Sequence, residues 1–182
     1  GMVISAVHHN PILSDSQSAV SSSGVGCKND HTGNRQSSTV NPYWRNTCAA
    51  AGVHLGQDDM PCAVARRLLG TEPLLGVSVS TPAEARRATD EGADYLGVSP
   101  VFDTPTKRDT PTATGLAGLS AIRAVTPLPL IAIGGLNVGN VGSVMAAGAD
   151  GIAVVSALMG AEDPAAAARA LLLAMGRGRV AA

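Results

Sequence analysis

Five short stretches hold the residue types that could do chemistry. "DTPTK" at 103–107 sets Thr104, Pro105 and Thr106 ahead of Lys107, with Arg108 next, directly after an apolar run. In open solvent such a basic pair is an ordinary turn, but at the end of a strand it can neutralise negative charge developing on a leaving phosphate or diphosphate. "GGLN" at 134–137 offers two glycines whose backbone amides can approach an anion closely, ahead of a helix predicted to begin near Asn137. Val155 and Ser156 could add amides and a hydroxyl to the same anion. Each loop alone reads as a tight turn; the two together point to a phosphate seat. Asp58 and Asp59 are hard oxygen donors of the kind Mg²⁺ uses beside a substrate phosphate, although an Asp pair near a helix start also serves as a cap. Ser78 has no histidine at an obvious spacing, so a Ser-His-Asp nucleophile is not supported, and His54, inside a strand, reads as a core or bottom-layer residue.

These stretches need elements to hold them. Apolar runs recur at 52–56, 74–79, 95–102, 128–135 and 151–157, and their continuous character suits strands covered on both faces. Helices lie between them. Thr81, Pro82 and Glu84 form a capping box with proline at the first helical position, predicting a helix toward Glu91 that Gly92 stops. Asp163 and Pro164 repeat the start signal, and Gly176 is the expected stop. "EGADYLGV", "AGADGIAV" and, more faintly, "AAAGVHLG" echo one another as a repeated helix-cap-strand unit. The expectation is an α/β chain with five βα units, spaced as in a (β/α)₈ barrel or a doubly wound sheet. No GxGxxG follows the first strand, which counts against a dinucleotide fold. On the barrel rule, function sits on loops at the C-terminal ends of strands, where all five stretches fall.

Composition narrows the partners. A net charge of -1 without long like-charge runs gives no sign of nucleic acid or an anionic membrane, and an aromatic share of 2% argues against base stacking. The partner expected is a small molecule. Cys27, Cys48 and Cys62 are odd in number and form no CxxC, so neither a disulfide framework nor structural zinc is indicated and a cytoplasmic setting is the default. Residues 1–48 differ from 49–182: they are rich in Ser, Asn, Gly and Thr without helix or strand period, and read as an irregular or disordered arm before a β/α-barrel-like domain. His8, His9 and His31 in that arm read as solvated bystanders.

From about Ala51 to Met175 the chain resembles the thiamine-phosphate synthase family, also called thiamine-phosphate pyrophosphorylase. The resemblance is carried by "GVHLGQDD", "LLGVSVSTPAEA", "GADYLGVSPVFDTPTKRD", "GLAGLSAIR", "IAIGGLN" and "AGADGIAVVSAL", in the family's order and spacing. It implies a (β/α)₈ barrel that joins hydroxymethylpyrimidine diphosphate to a thiazole phosphate and releases diphosphate, with Mg²⁺ present. It further implies Asp59 as a Mg²⁺ ligand and Ser78 and Lys107 as contacts to the pyrimidine diphosphate. Thr104, Pro105 and Thr106 would line the thiazole phosphate site, and Gly135, Val155 and Ser156 would bind its phosphate. Diphosphate would leave first, giving a pyrimidine carbocation that the thiazole nitrogen captures, so no protein nucleophile is required.

The chain also departs from the family, whose members begin with three further βα units, including a "QLREK"-like run and a strand ending in "NDR". Neither is found in residues 1–50. A sheet open at its edges exposes unpaired backbone groups, which implies self-association or loose packing of this chain on its own. Two rival readings accompany the synthase: an inactive phosphate-binding or interaction module, and a tautomerase-like enzyme acting on the thiazole alone.

Overall fold

The computed structural model describes residues 4–7, 51–103 and 113–179. Among them six strands make one sheet: β1 (Ile4–Val7), β2 (Gly52–Leu55), β3 (Leu74–Val79), β4 (Tyr95–Val98), β5 (Leu130–Ile133) and β6 (Gly151–Val154). Their spatial order is β1-β6-β5-β4-β3-β2. β2 to β6 run parallel. The helices that follow them in turn are α1 (Cys62–Leu69), α2 (Pro82–Asp90), α3 (Gly115–Arg123), α4 (Val141–Ala146), and the pair α5 (Ser156–Met159) and α6 (Pro164–Arg179). Five parallel βα units in sequence order form an arc of a β/α barrel. β1, from the arm that composition read as irregular, lies antiparallel on the outer edge of β6, Ile4 opposite Val154. Backbone pairing along that edge produces the strand without an apolar period to announce it.

The period-2 pleat sorts the strands into two faces. Leu55, Leu75, Val77, Leu96, Val98, Leu130, Ala132, Ile152 and Val154 point to one side and are buried with Ala65, Ala85, Leu119, Ile122, Val141 and Val144 from the helices. The other face mixes glycines and polar side chains with Leu74, Ile131 and Ile133. Register sets His54 beside Gly76 beside Tyr95, and Ser78 beside Gly97 beside Ile131 beside Gly151. This corrects the expectation of strands covered on both sides: His54 and Leu74 are exposed on that face, and Ser78, Tyr95, Ile131 and Ile133 are half-buried. The runs look continuously apolar because glycines, Leu74, Ile131 and Ile133 take many of the open-face positions, with polar residues at only a few of them.

Local signals account for the element ends. The Thr81 hydroxyl accepts from Glu84 N at 3.2 Å while Glu84 Oε2 accepts from Thr81 N at 3.3 Å, so the predicted capping box forms, worth about 1 kcal/mol. Gly92 follows α2 at φ 91°, as a helix stop requires. Asp163 Oδ1 caps Ala166 N at 2.9 Å. Gly176 does not stop α6, which continues to Arg179. A glycine inside a helix costs only about 1 kcal/mol, which neighbouring turns can absorb.

The "GAD" echo has a shared structural cause. Asp94 N donates to Leu75 O at 2.8 Å, and Asp94 Oδ2 accepts from Leu75 N at 2.7 Å and from Arg66 Nη2 at 2.6 Å. Asp150 treats Leu130 and Arg123 the same way, at 2.8, 2.9 and 3.1 Å. In each unit one aspartate ties the start of its strand to the preceding strand and to an arginine of the helix before. The repeat therefore fixes strand register and leaves the opposite, C-terminal ends free for chemistry.

Candidate functional site

Of the predicted residues that the structure describes, Asp59, Ser78, Gly135, Val155 and Ser156 lie at or near the C-terminal ends of β2, β3, β5 and β6. After β2, Asp59 turns back so that its Oδ2 accepts from Gly56 N at 2.7 Å, which leaves Oδ1 at an exposed position. Neither Asp58 nor Asp59 caps α1, whose N-cap is Pro61. Among the described residues no three His, Cys, Asp or Glu side chains gather as a metal cage. A single carboxylate fits Mg²⁺ only as a shared ion, because Mg²⁺ commonly takes one or two carboxylates and completes its shell with water and substrate phosphate.

Ser78, near the end of β3, is held twice by the segment around β2. His54 Nε2 lies 2.9 Å from Ser78 Oγ, and Gln57 Nε2 donates to Ser78 O. Gln57 Oε1 in turn accepts from Arg87 Nη2 at 2.9 Å. The other imidazole nitrogen, Nδ1, lies 3.0 Å from the Tyr95 hydroxyl. Two expectations are corrected here. Ser78 does have a histidine partner, brought to it across the β2–β3 ladder rather than by sequence spacing, and His54 is a residue of the open concave face rather than of the core. The third member is a phenol, not a carboxylate, so the trio is not a Ser-His-Asp triad. One edge of His54 is exposed, yet the partial burial of its ring pushes its pKa below the usual 6.5, opposed only in part by the Asp59 charge. Burial pushes the Tyr95 phenol up. Both groups are therefore neutral near pH 7.

Glycines make room for this trio. A Cβ on Gly76 would lie 2.2 Å from Tyr95 Cζ and 2.5 Å from His54 Nδ1, and one on Gly97 would lie 3.0 Å from His54 Cε1. Sequence reasoning missed His54, Tyr95 and Gln57 as a group. The available signal was glycine inside two strands, which marks close approach.

After β4, Val101 N donates to Ile133 O at 2.8 Å and Phe102 N to Gly134 O at 3.2 Å, extending the ladder toward the loop. Thr114 N returns to Pro100 O and Gly115 N to Val101 O, both at 2.9 Å, closing the loop's base. Thr104, Pro105, Thr106, Lys107 and Arg108 lie outside the described residues, as do Cys27, Cys48, His8, His9 and His31.

After β5, Gly134 and Gly135 take φ 97° and 66°. A side chain at Gly135 would meet Phe102 Cβ at 2.7 Å and Asp103 O at 2.8 Å, so the turn packs directly on the base of the β4 loop. Asn140 Nδ2 donates to Gly135 O at 2.9 Å and Asn140 Oδ1 accepts from Asn137 N at 2.8 Å. The helix predicted near Asn137 thus begins at Val141, because Asn137 and Asn140 first close a turn between them. Val155 and Ser156 follow β6, next to β5 in the sheet, and both are exposed. Cys62, the first residue of α1, is a buried free thiol. No helix among the described residues is long and apolar enough to cross a membrane.

Comparison with known proteins agrees with this layout. The family described as thiamine monophosphate synthase matches residues 41–158. The chain is 53% identical to the thiamine-phosphate synthase of Moorella thermoacetica over 130 residues, 71% of this chain and 62% of that one. Against the thiamine-phosphate synthase of Chloroflexus aurantiacus it is 58% identical over 122 residues, 67% of this chain and 56% of that one. It therefore spans about three fifths of the length of such relatives. Among solved structures, thiamine phosphate pyrophosphorylase from Pyrococcus furiosus superposes with a TM-score of 0.66 at 38% identity, covering 76% of this chain and 65% of that one. With the matched segment running through β2 to β6 and their C-terminal loops, the chain belongs to the thiamine monophosphate synthase family.

Proposed function

We propose that the chain works as a thiamine-phosphate synthase, joining hydroxymethylpyrimidine diphosphate to a thiazole phosphate with release of diphosphate. The observation that carries this reading is the family match across residues 41–158 together with the positions of Asp59, Ser78, Gly135, Val155 and Ser156 at or near the C-terminal ends of the parallel strands β2, β3, β5 and β6. Gly135, Val155 and Ser156 seat the thiazole phosphate at the ends of β5 and β6. By the family resemblance, Thr104, Pro105 and Thr106 serve the thiazole phosphate site and Lys107 contacts the diphosphate of the other substrate. Ser78 contacts the pyrimidine diphosphate from β3. As the C–O bond to diphosphate breaks, Lys107 offsets the charge that develops on the leaving group. The carbocation left on the pyrimidine methylene is captured by the thiazole nitrogen lone pair, and no side chain forms a covalent bond. Asp59 would hold Mg²⁺, which would supply further charge neutralisation to the diphosphate when bound.

The partners in this reading are the two phosphorylated small molecules and a second copy of the chain. The outer edge of β2 has no strand beside it among the described residues, and Leu74 on adjacent β3 is 54% exposed, which supports self-association. The odd cysteine count, with Cys62 a free thiol, supports a cytoplasmic setting.

The reading is tested by supplying both substrates and Mg²⁺ and measuring thiamine phosphate. Product that disappears in Lys107→Ala supports it. Binding of thiazole phosphate without product would instead indicate a phosphate-binding module, and interconversion of thiazole isomers without the pyrimidine substrate would indicate a tautomerase.

A further inference from the structure

The Tyr95, His54 and Ser78 side chains form a continuous hydrogen-bonded line across three strands, with one neutral imidazole at its centre. A neutral imidazole has one N–H and one bare nitrogen, so it donates to one hydroxyl and accepts from the other. The two hydroxyls are not equivalent. A phenol is far more acidic than an alkyl alcohol and is the stronger hydrogen-bond donor, which favours the arrangement in which the Tyr95 O–H donates to Nδ1 at 3.0 Å. The imidazole hydrogen then sits on Nε2 and is donated to Ser78 Oγ at 2.9 Å. With its oxygen engaged as an acceptor, Ser78 keeps its own hydrogen for another partner. That partner must come from the concave side, because Ser78 shares its face with Gly97 and His54 and is only half-buried there. The Ser78 main chain is fixed from the same segment, since Gln57 Nε2 donates to its carbonyl. Gly76 and Gly97 keep the floor low enough for the ring to lie between its partners.

We propose that His54 is a positioning residue: held by Tyr95 as the Nε2–H tautomer, it turns the Ser78 hydroxyl into an outward-facing donor for the phosphorylated pyrimidine substrate. This rests on the function proposed above for its substrate. The hydrogen-bond line itself does not.

The experiment uses the full chain labelled with ¹⁵N-histidine, in which the His54 imidazole signals are identified by their loss in His54→Gln. The expected spectrum has a pyrrole-type Nε2 and a pyridine-type Nδ1; the reverse pattern overturns the inference. Tyr95→Phe removes one oxygen and leaves the ring, and is expected to give mixed tautomers. A tautomer unchanged in Tyr95→Phe overturns it equally. Calorimetric titration with hydroxymethylpyrimidine diphosphate in Mg²⁺ buffer reads the consequence. His54→Leu, which cannot donate to Ser78, should bind about tenfold more weakly, whereas His54→Gln, whose side-chain N–H can replace Nε2–H, should stay within about twofold. Equal loss in both variants, or loss in neither, contradicts a positioning role. If the unaltered chain fails to bind this substrate, the proposed function falls and takes the substrate half of the inference with it. The tautomer measurement still decides the hydrogen-bond line.

Discussion

Gly76→Ala perturbs the candidate site with a single methyl group. The added Cβ would stand 2.2 Å from Tyr95 Cζ, 2.5 Å from the Tyr95 hydroxyl and 2.5 Å from His54 Nδ1. Contacts that short require both the phenol and the imidazole to move, which also breaks the bond between them. Overpacking of this kind costs about 1–3 kcal/mol, and the lost hydrogen bond adds about 1 kcal/mol. Replacing a strand glycine returns about 0.5–1 kcal/mol through the unfolded chain, so the expected net loss is about 2 kcal/mol. Urea unfolding of the parent, Gly76→Ala, Tyr95→Ala and the double variant, at one protein concentration, measures both the loss and its origin. Because two of the three nearest atoms belong to Tyr95, the cost of Gly76→Ala should fall below about 1 kcal/mol once Tyr95 is truncated. A Gly76→Ala chain that unfolds at the parent's urea concentration refutes the packing argument. So does a cost that persists unchanged without Tyr95.

Three further outcomes are expected. Thr81→Ala removes the side-chain half of the α2 capping box and should lower stability by about 1 kcal/mol in the same unfolding assay. Light scattering should report a mass above that of one chain, since β2 leaves an unpaired edge among the described residues; a monomer at every concentration would contradict self-association. His54 should titrate below 6.5 by NMR. As pH falls through 6.5 the unfolded chain then takes up the proton before the folded one does, so this residue's contribution is complete above 6.5 and is lost on the acid side. His54→Gln should flatten that part of the stability profile, and an unchanged slope would show that His54 is not responsible.

How much the sequence disclosed depended on how far apart the interacting residues lie. Thr81 and Glu84 are three residues apart and their cap forms as read. The "GAD" echo correctly marked repeated units. Its purpose was hidden, because Asp94 works through Arg66 and Leu75, which reach it from two other elements. His54 was misplaced for the same reason: its partners Ser78 and Tyr95 are 24 and 41 residues away, and only the parallel register brings them together. Gly76 and Gly97 were the overlooked hint. Gly176 misled in the opposite direction, since the surroundings of α6 tolerate a glycine that local rules treat as a stop. The resemblance supplied the site residues that physics alone left as turns. Of these, Asp59, Ser78, Gly135, Val155 and Ser156 stand at or near the C-terminal ends of β2, β3, β5 and β6, while Thr104 to Lys107 lie outside the described residues.

The central claim is the joining reaction, and ³¹P NMR of a single reaction mixture tests it most directly. With both substrates, Mg²⁺ and the chain, pyrimidine diphosphate should be consumed as inorganic diphosphate and thiamine phosphate appear in equal amounts, and Lys107→Ala should abolish both signals. Diphosphate released without thiamine phosphate, or substrates left unchanged by the parent chain, would contradict it.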